Sequence, residues 1–159
     1  MTLPGRVLVV GAGLIGTSVA LALTRAGARV WLDDRDPARR DLACALEAGE
    51  PWEEGLRVDH AVLAVPPGVV ADVLAVLQKQ DAASTYSDCA SVKLRPQVEL
   101  EVLGAEASSF CGAHPIAGRE RPGAAGARED LFVGRAWVVT PSPVTSPAAL
   151  ADARAVAEA

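Results

Sequence analysis

The sequence predicts a doubly wound α/β domain with a mostly parallel sheet and helices on both faces, and three observations predict it. Short runs with apolar centres at 6–10, 29–33 and 60–65 lack the in-and-out alternation of a half-exposed strand, so they read as strands buried on both faces. Stretches of helical periodicity separate them, the alternation that builds parallel sheets through right-handed crossovers. Glycines 11, 13 and 16 cluster where the first strand meets the first helix.

Each element follows in order. Arg6–Val10 ends at Gly11, and from Leu14 to Ala26 the residues Leu14, Ile15, Val19, Leu21, Ala22 and Leu23 keep one helical face, with Gly27 where a stop is expected. Arg29–Asp33 is the second strand, completing a βαβ unit of about 30 residues. Asp36 as N-cap and Pro37 at the first helical position open a helix to about Ala48. A polar connection with Pro51 and Gly55 leads to the strand 60–65, which Pro66-Pro67-Gly68 breaks before helical periodicity resumes from Val69 to Gln78. A strand near 85–87, a helix over 96–103, strands at 108–111 and 136–139, and a last helix from Ser146 and Pro147 complete the series. The Pro/Ser/Thr-rich stretch 141–147 is linker-like in composition.

With 159 residues, half of them hydrophobic and 22% charged, the chain can bury one good core. A net charge of -5 with scattered basic residues leaves no basic face for a phosphate backbone, so nucleic acid is not an expected partner. No apolar stretch approaches the roughly 20 residues that span a bilayer. Met1-Thr2-Leu3-Pro4-Gly5 runs directly into a strand and leaves no room for a signal peptide, so no membrane association and a cytoplasmic location are expected. Cys44, Cys89 and Cys111 are odd in number and lack CxxC spacing, which fits reduced thiols. Cys111 with His114 would be half of a zinc site, and without a second pair no metal is expected.

Gly11-Ala12-Gly13-Leu14-Ile15-Gly16 is GxGxxG in the strand-to-helix setting that gives the motif meaning, the fingerprint of a Rossmann-type dinucleotide site. Gly11 permits the tight turn, Gly13 lets a pyrophosphate approach, Gly16 lets helix and strand pack, and the helix start at Leu14 and Ile15 offers N–H groups to phosphates. The plain alternative is a glycine-rich turn without a ligand. Against it stands Asp34 at the end of the second strand, about 20 positions on, where a carboxylate accepts hydrogen bonds from ribose hydroxyls. A 2′-phosphate would meet that carboxylate as a like charge, so NAD is expected over NADP, although Arg35, Arg39 and Arg40 lie close. Asp33 reads as a solvated strand end, and Asp34 itself has a turn residue as its plain reading. Val65 and Pro66 close the third predicted strand at the carboxyl edge, where a proline shapes the floor beneath the nicotinamide; a simple strand terminator is the alternative.

Two loops bring polar groups to that edge: Ser87-Asp88-Cys89-Ala90-Ser91-Val92-Lys93 and Gly112-Ala113-His114-Pro115-Ile116-Ala117-Gly118. If both strands run parallel to the first, Ser91 and His114 project into one cleft, where a hydroxyl can orient an imidazole and the imidazole can act as a base. His60, at a strand start, reads as structural.

These segments, with Gly13-Leu14-Ile15-Gly16 before them, Arg119-Glu120 after them, and Leu131-Phe132 ahead of Trp137-Val138-Val139-Thr140-Pro141, resemble the prephenate dehydrogenase family over residues 6–141. The resemblance implies the cofactor domain of an NAD-dependent oxidative decarboxylase of tyrosine biosynthesis, which converts prephenate to 4-hydroxyphenylpyruvate. It implies that His114 accepts the substrate's hydroxyl proton and that Ser91 hydrogen-bonds the hydroxyl or His114, while the cofactor carries the redox chemistry. Arogenate in place of prephenate stays open. Arg119 and Glu120 match a pair bordering the family's site whose first position is often not arginine, so a solvated charge is the plain reading of Arg119. The family continues into a helical domain that supplies the dimer interface and arginine contacts to the substrate carboxylates. Residues 1–145 are therefore expected to be the NAD-binding unit, 146–159 the start of a helix leading to that domain, and the full-length protein a homodimer. This chain alone, a fragment or an incomplete homologue, is then expected to bind NAD but turn over prephenate poorly. Two rivals remain: another NAD(P)-dependent hydroxy-acid dehydrogenase, for which His114 is dispensable, and a non-catalytic dinucleotide-sensing module.

Overall fold

The computed structural model describes residues 2–117 and 123–159; Gly118, Arg119 and Glu120 lie outside them. In chain order the elements are β1 (Arg6–Val10), α1 (Leu14–Arg25), β2 (Arg29–Asp33), α2 (Pro37–Ala45), β3 (Glu50–Pro51), β4 (Val58–Leu63), α3 (Val70–Lys79), β5 (Ala83–Asp88), α4 (Leu94–Leu103), β6 (Phe110–Pro115), β7 (Trp137–Thr140) and α5 (Pro147–Glu158). Among the described residues the sheet has seven strands in the order β3-β2-β1-β4-β5-β6-β7, and every pairing there is parallel except β6 with β7. The doubly wound α/β class expected from the sequence is therefore observed.

Strand periodicity divides the core into two layers. Leu8, Val10, Ala61, Leu63 and Tyr86 join Leu74, Leu77 and Leu100 of α3 and α4 in one apolar cluster. Val7, Val9, Val30, Leu32 and Val62 join Val19 and Leu23 of α1, Ala43 of α2 and Val156 of α5 in the other. Adjacent strand residues thus serve opposite faces, which is why these strands read as continuous apolar runs. Each fully buried leucine or valine contributes about 1.5–3 kcal/mol.

Three local expectations are corrected. The second helix ends at Ala45, not near Ala48, because Glu47 adopts a left-handed φ of 61° and the Ala48 N–H turns back to the Ala43 carbonyl. The supposed connection after it contains β3, a two-residue edge strand on Trp31 and Leu32, too short to carry a pattern, with its proline tolerated at the edge. The strand expected from Ser108 begins at Phe110, because the Glu106 carboxylate accepts the Ser108 N–H and hydroxyl and holds Ala107–Ser109 in a 3₁₀ turn. His114 consequently sits inside β6 and not on a loop beyond it.

α5 opens as expected, with Pro147 in its first turn and the Ser146 hydroxyl accepting the Ala149 N–H at 3.2 Å. Ala149, Ala153 and Val156 are buried. Ser146→Ala is expected to lower unfolding stability by about 1 kcal/mol, read from the urea midpoint; an unchanged midpoint would mean that other groups serve this helix end. Among the described residues, no helix is long and apolar enough to cross a membrane.

Candidate functional site

Strand register assembles the site. Val10 pairs with Asp33 on one side and Leu63 on the other, and Leu63 pairs with Asp88. These residues lie on one line across the sheet, so Asp34, Gly11, Ala64 and Cys89 leave its carboxyl edge side by side. Backbone bonds tie these exits together: Gly11 N–H to the Asp33 carbonyl (2.8 Å), Ala64 N–H to Val10 (2.8 Å) and Cys89 N–H to Leu63 (3.0 Å). Ser87 pairs with Cys111, which sets Gly112 beside Asp88 and carries Ala113 and His114 to the same edge.

At the β1 end, Gly11 has φ 101°, and a Cβ there would overlap the Ala64 carbonyl; one on Gly16 would overlap the Gly11 carbonyl. Only glycine allows this turn and this approach of helix to strand. A Cβ on Gly13 would meet nothing within 4 Å, so its absence leaves the backbone open to a ligand. Among the described residues no side chain caps the α1 N-terminus, whose first-turn N–H groups and positive dipole end suit an anion. A cleft of about 580 Å³ opens from this loop, bordered by Gly11, Gly13, Asp33, Asp34, Arg35 and Arg39 at its polar end and by Val65, Pro66, Val69, Val73 and Trp52 at its apolar end. An open backbone over phosphate donors, acids at the next strand end and an apolar slot beyond fit a dinucleotide.

Of the residues expected there, Gly11, Gly13, Asp34, Arg35, Val65 and Pro66 border this cleft, and Gly16 packs behind it. Leu14 and Ile15 are half-buried in the first turn of α1 and do not line it, and Ile15 packs against the core. Their backbone, not their side chains, is what a phosphate can reach. Asp34 does more than face the cleft: its carboxylate accepts the Ala12 N–H at 2.7 Å and the Asp36 N–H at 2.8 Å, bracing the glycine loop. A carboxylate offers about four lone-pair sites, so acceptor capacity remains for a ribose. Asp33, read from the sequence as a solvated strand end, is a wall of the cleft, and burial raises its carboxyl pKa. Trp52 and the α3 valines went unrecognised; the apolar face of α3 was the available signal.

At the other end, His114 is half-buried, and its Nδ1 lies 3.2 Å from the Cys89 carbonyl oxygen. A carbonyl can only accept, so the neutral ring carries its proton on Nδ1 and leaves Nε2 with a lone pair. Ser91 is exposed, and among the described residues no hydrogen bond joins it to His114. The group that orients the imidazole is thus a backbone carbonyl of the same turn and not the Ser91 hydroxyl. Asp88 accepts the Ala113 N–H at 2.9 Å and the Ala90 N–H at 3.3 Å, and the Lys93 ammonium reaches both its oxygens at 2.6 Å. Burial raises the Asp88 pKa while Lys93 pulls it back down. Burial pushes the Cys111 thiol up to about 11 and the Cys89 thiol higher still, so neither is a thiolate near neutrality. His60 is fully enclosed between Thr85 and Ser87, as its structural reading required. Among the described residues, no group of three or more His, Cys, Asp or Glu side chains is placed to hold a metal.

The arrangement joins the cleft over the glycine loop to an oriented imidazole along one sheet edge, and comparison with known proteins gives it a family. The model of the prephenate dehydrogenase nucleotide-binding domain matches residues 19–159. The probable prephenate dehydrogenase NovF of Streptomyces niveus is 42% identical over 143 residues, 90% of this chain and 40% of that protein. Prephenate dehydrogenase from A. aeolicus, solved with hydroxyphenyl propionate and NAD+, is 28% identical with a TM-score of 0.86, covering 99% of this chain and 57% of that one. Arogenate dehydrogenase from Synechocystis is 32% identical with a TM-score of 0.83, covering 96% and 56%. The chain therefore spans about 40% of its curated relative and somewhat over half of the solved ones. It belongs to the family of prephenate dehydrogenase nucleotide-binding domains.

Proposed function

We propose that the chain is the NAD-binding part of a dehydrogenase that oxidatively decarboxylates prephenate, with His114 as the base. One observation carries this reading: Nδ1 of His114 is committed to the Cys89 carbonyl, which leaves Nε2 as an acceptor at the edge where the glycine loop also ends. Bound NAD+ supplies a hydride acceptor. The chain's own groups hold it: Gly11, Gly13 and the first-turn N–H groups of Leu14, Ile15 and Gly16 at the pyrophosphate, Asp34 at the ribose with Arg35 beside it, and Val65 and Pro66 under the nicotinamide. Nε2 of His114 takes the hydroxyl proton as the ring carbon gives up its hydride and becomes a carbonyl carbon. The bond to the leaving carboxylate breaks in the same conversion: carbon dioxide departs, its electron pair shifts through the ring onto the new carbonyl oxygen and completes the aromatic ring, and that oxygen takes a proton back from His114 to become the product's phenol. Ser91, exposed beside this edge, hydrogen-bonds the substrate hydroxyl.

The family's remaining domain is then the source of contacts to the substrate carboxylates and of a homodimer interface. Residues 146–159 lead toward it while α5 also packs on this sheet. Arogenate is the second reading, favoured by the likeness to the Synechocystis enzyme.

Calorimetric titration tests the cofactor half. NAD+ is expected to bind more tightly than NADP+, whose 2′-phosphate would face Asp33 and Asp34. Asp34→Ala is expected to weaken NAD+ by about 10- to 100-fold, the worth of a hydrogen bond to a charged group. Failure of the folded chain to bind either dinucleotide would end the proposal.

A further inference from the structure

The turn that follows β5 does more than carry the carbonyl that faces His114. The Lys93 ammonium has three N–H donors and three acceptors at contact distance: both oxygens of Asp88 at 2.6 Å and the Ala113 carbonyl at 2.5 Å. The Asp88 side chain is wholly buried and that of Lys93 is 20% exposed, so this is not a surface ion pair of little consequence. From the other side Asp88 accepts the Ala113 N–H at 2.9 Å. Ala113 is thus gripped at its N–H by the carboxylate and at its C=O by the ammonium, one residue before His114. The Lys93 stem reaches this position across Gly112, where a Cβ would stand 3.1 Å from Lys93 Cδ and 2.8 Å from Thr140 Oγ1. A glycine at 112 makes room for the lysine.

We infer that Asp88 and Lys93 are positioning residues for His114, locking the Ala113 backbone so that the ring meets the Cys89 carbonyl and holds the Nδ1–H tautomer. The inference rests on the reading of His114 as the base. The Asp88 carboxylate, the Cys89 carbonyl and the Lys93 ammonium belong to a single six-residue turn, so one rigid unit sets both the backbone and the ring of the histidine. An ammonium satisfied on all three donors resists displacement by water, and orienting contacts of this kind fix which imidazole nitrogen is the base.

The test uses the chain itself, which has only two histidines. Long-range ¹⁵N correlation spectra assign each imidazole tautomer. In the parent chain His114 is expected to be Nδ1–H. In Lys93→Met, similar in length but unable to donate, His114 is expected to lose that single-tautomer pattern and move toward Nε2–H, the form free histidine prefers. His60, held by Thr85 and Ser87, is expected to keep its own pattern and so reports an intact core. If Lys93→Met unfolds by stranding the Asp88 charge, Asp88→Asn/Lys93→Met removes both charges and is read in the same way. A folded variant in which His114 stays Nδ1–H overturns the inference. The spectrum needs no substrate, so a His114→Asn enzyme that kept its turnover would count against the functional reading alone.

Discussion

His114→Asn is expected to lower turnover of prephenate with NAD+ by about 10²–10⁴-fold, the usual contribution of a positioned base, in the protein that carries this domain together with the rest of its relatives' length. Asparagine keeps a side-chain N–H for the Cys89 carbonyl but has no lone pair to receive a proton where Nε2 stood. The lost interaction is one made only as the hydroxyl proton moves, so kcat and kcat/KM should fall together. NAD+ affinity should not change, since His114 is not among the residues bordering the dinucleotide cleft. Calorimetry and initial-rate kinetics on the same preparation separate the two quantities. Retained turnover would remove His114 from the mechanism and favour the rival hydroxy-acid dehydrogenase, for which this histidine is dispensable.

The fold was legible because its signals are local. A buried parallel strand is an uninterrupted apolar run, and β1, β2 and β4 have that form; a helix start shows as a cap, as at Asp36 and Ser146. The glycine motif was legible for the same reason, since its steric demands arise within a few residues of itself and at the next strand exit, Ala64. What escaped depends on partners distant in sequence or on elements too short to show a period. Asp34 bracing Ala12 spans 22 residues, and Lys93 reaching Ala113 spans 20. Both are made by side chains whose local context looks like an ordinary turn. Ser91 was the natural candidate to orient His114 because hydroxyl and imidazole are familiar partners. The backbone carbonyl that does so has no side-chain signature, and β3, with two residues, has no periodicity to detect.

Acid is expected to weaken the fold through His60, by about 2 kcal/mol between pH 6.5 and pH 5. The ring bridges two strands: Nε2 lies 2.8 Å from the Ser87 hydroxyl and Nδ1 2.8 Å from that of Thr85. Thr85 has one proton to give, and its 2.6 Å contact to the Asp152 carboxylate outweighs the 3.4 Å alternative to the Asp59 carbonyl. Thr85 therefore accepts from Nδ1–H, Ser87 donates to Nε2, and the chain of bonds runs through neutral His60 into α5. Burial lowers the His60 pKa to about 3, against about 6.5 in the unfolded chain. Between those values the folded form binds fewer protons, so the contribution is complete above pH 6.5 and is lost as the pH falls toward 3. Asp88, raised by burial, acts with the opposite sign, and Asp59, held low by Arg6, loses its contribution only in stronger acid. Comparison with His60→Leu cancels both. That variant should be less stable than the parent at pH 7, because Thr85 and Ser87 lose a partner, yet its urea midpoint should change less between pH 7 and pH 5. Parallel pH dependences in the two proteins would mean that His60 takes up its proton inside the folded core and that the Asp152 carboxylate, one hydroxyl away, stabilises the cation there.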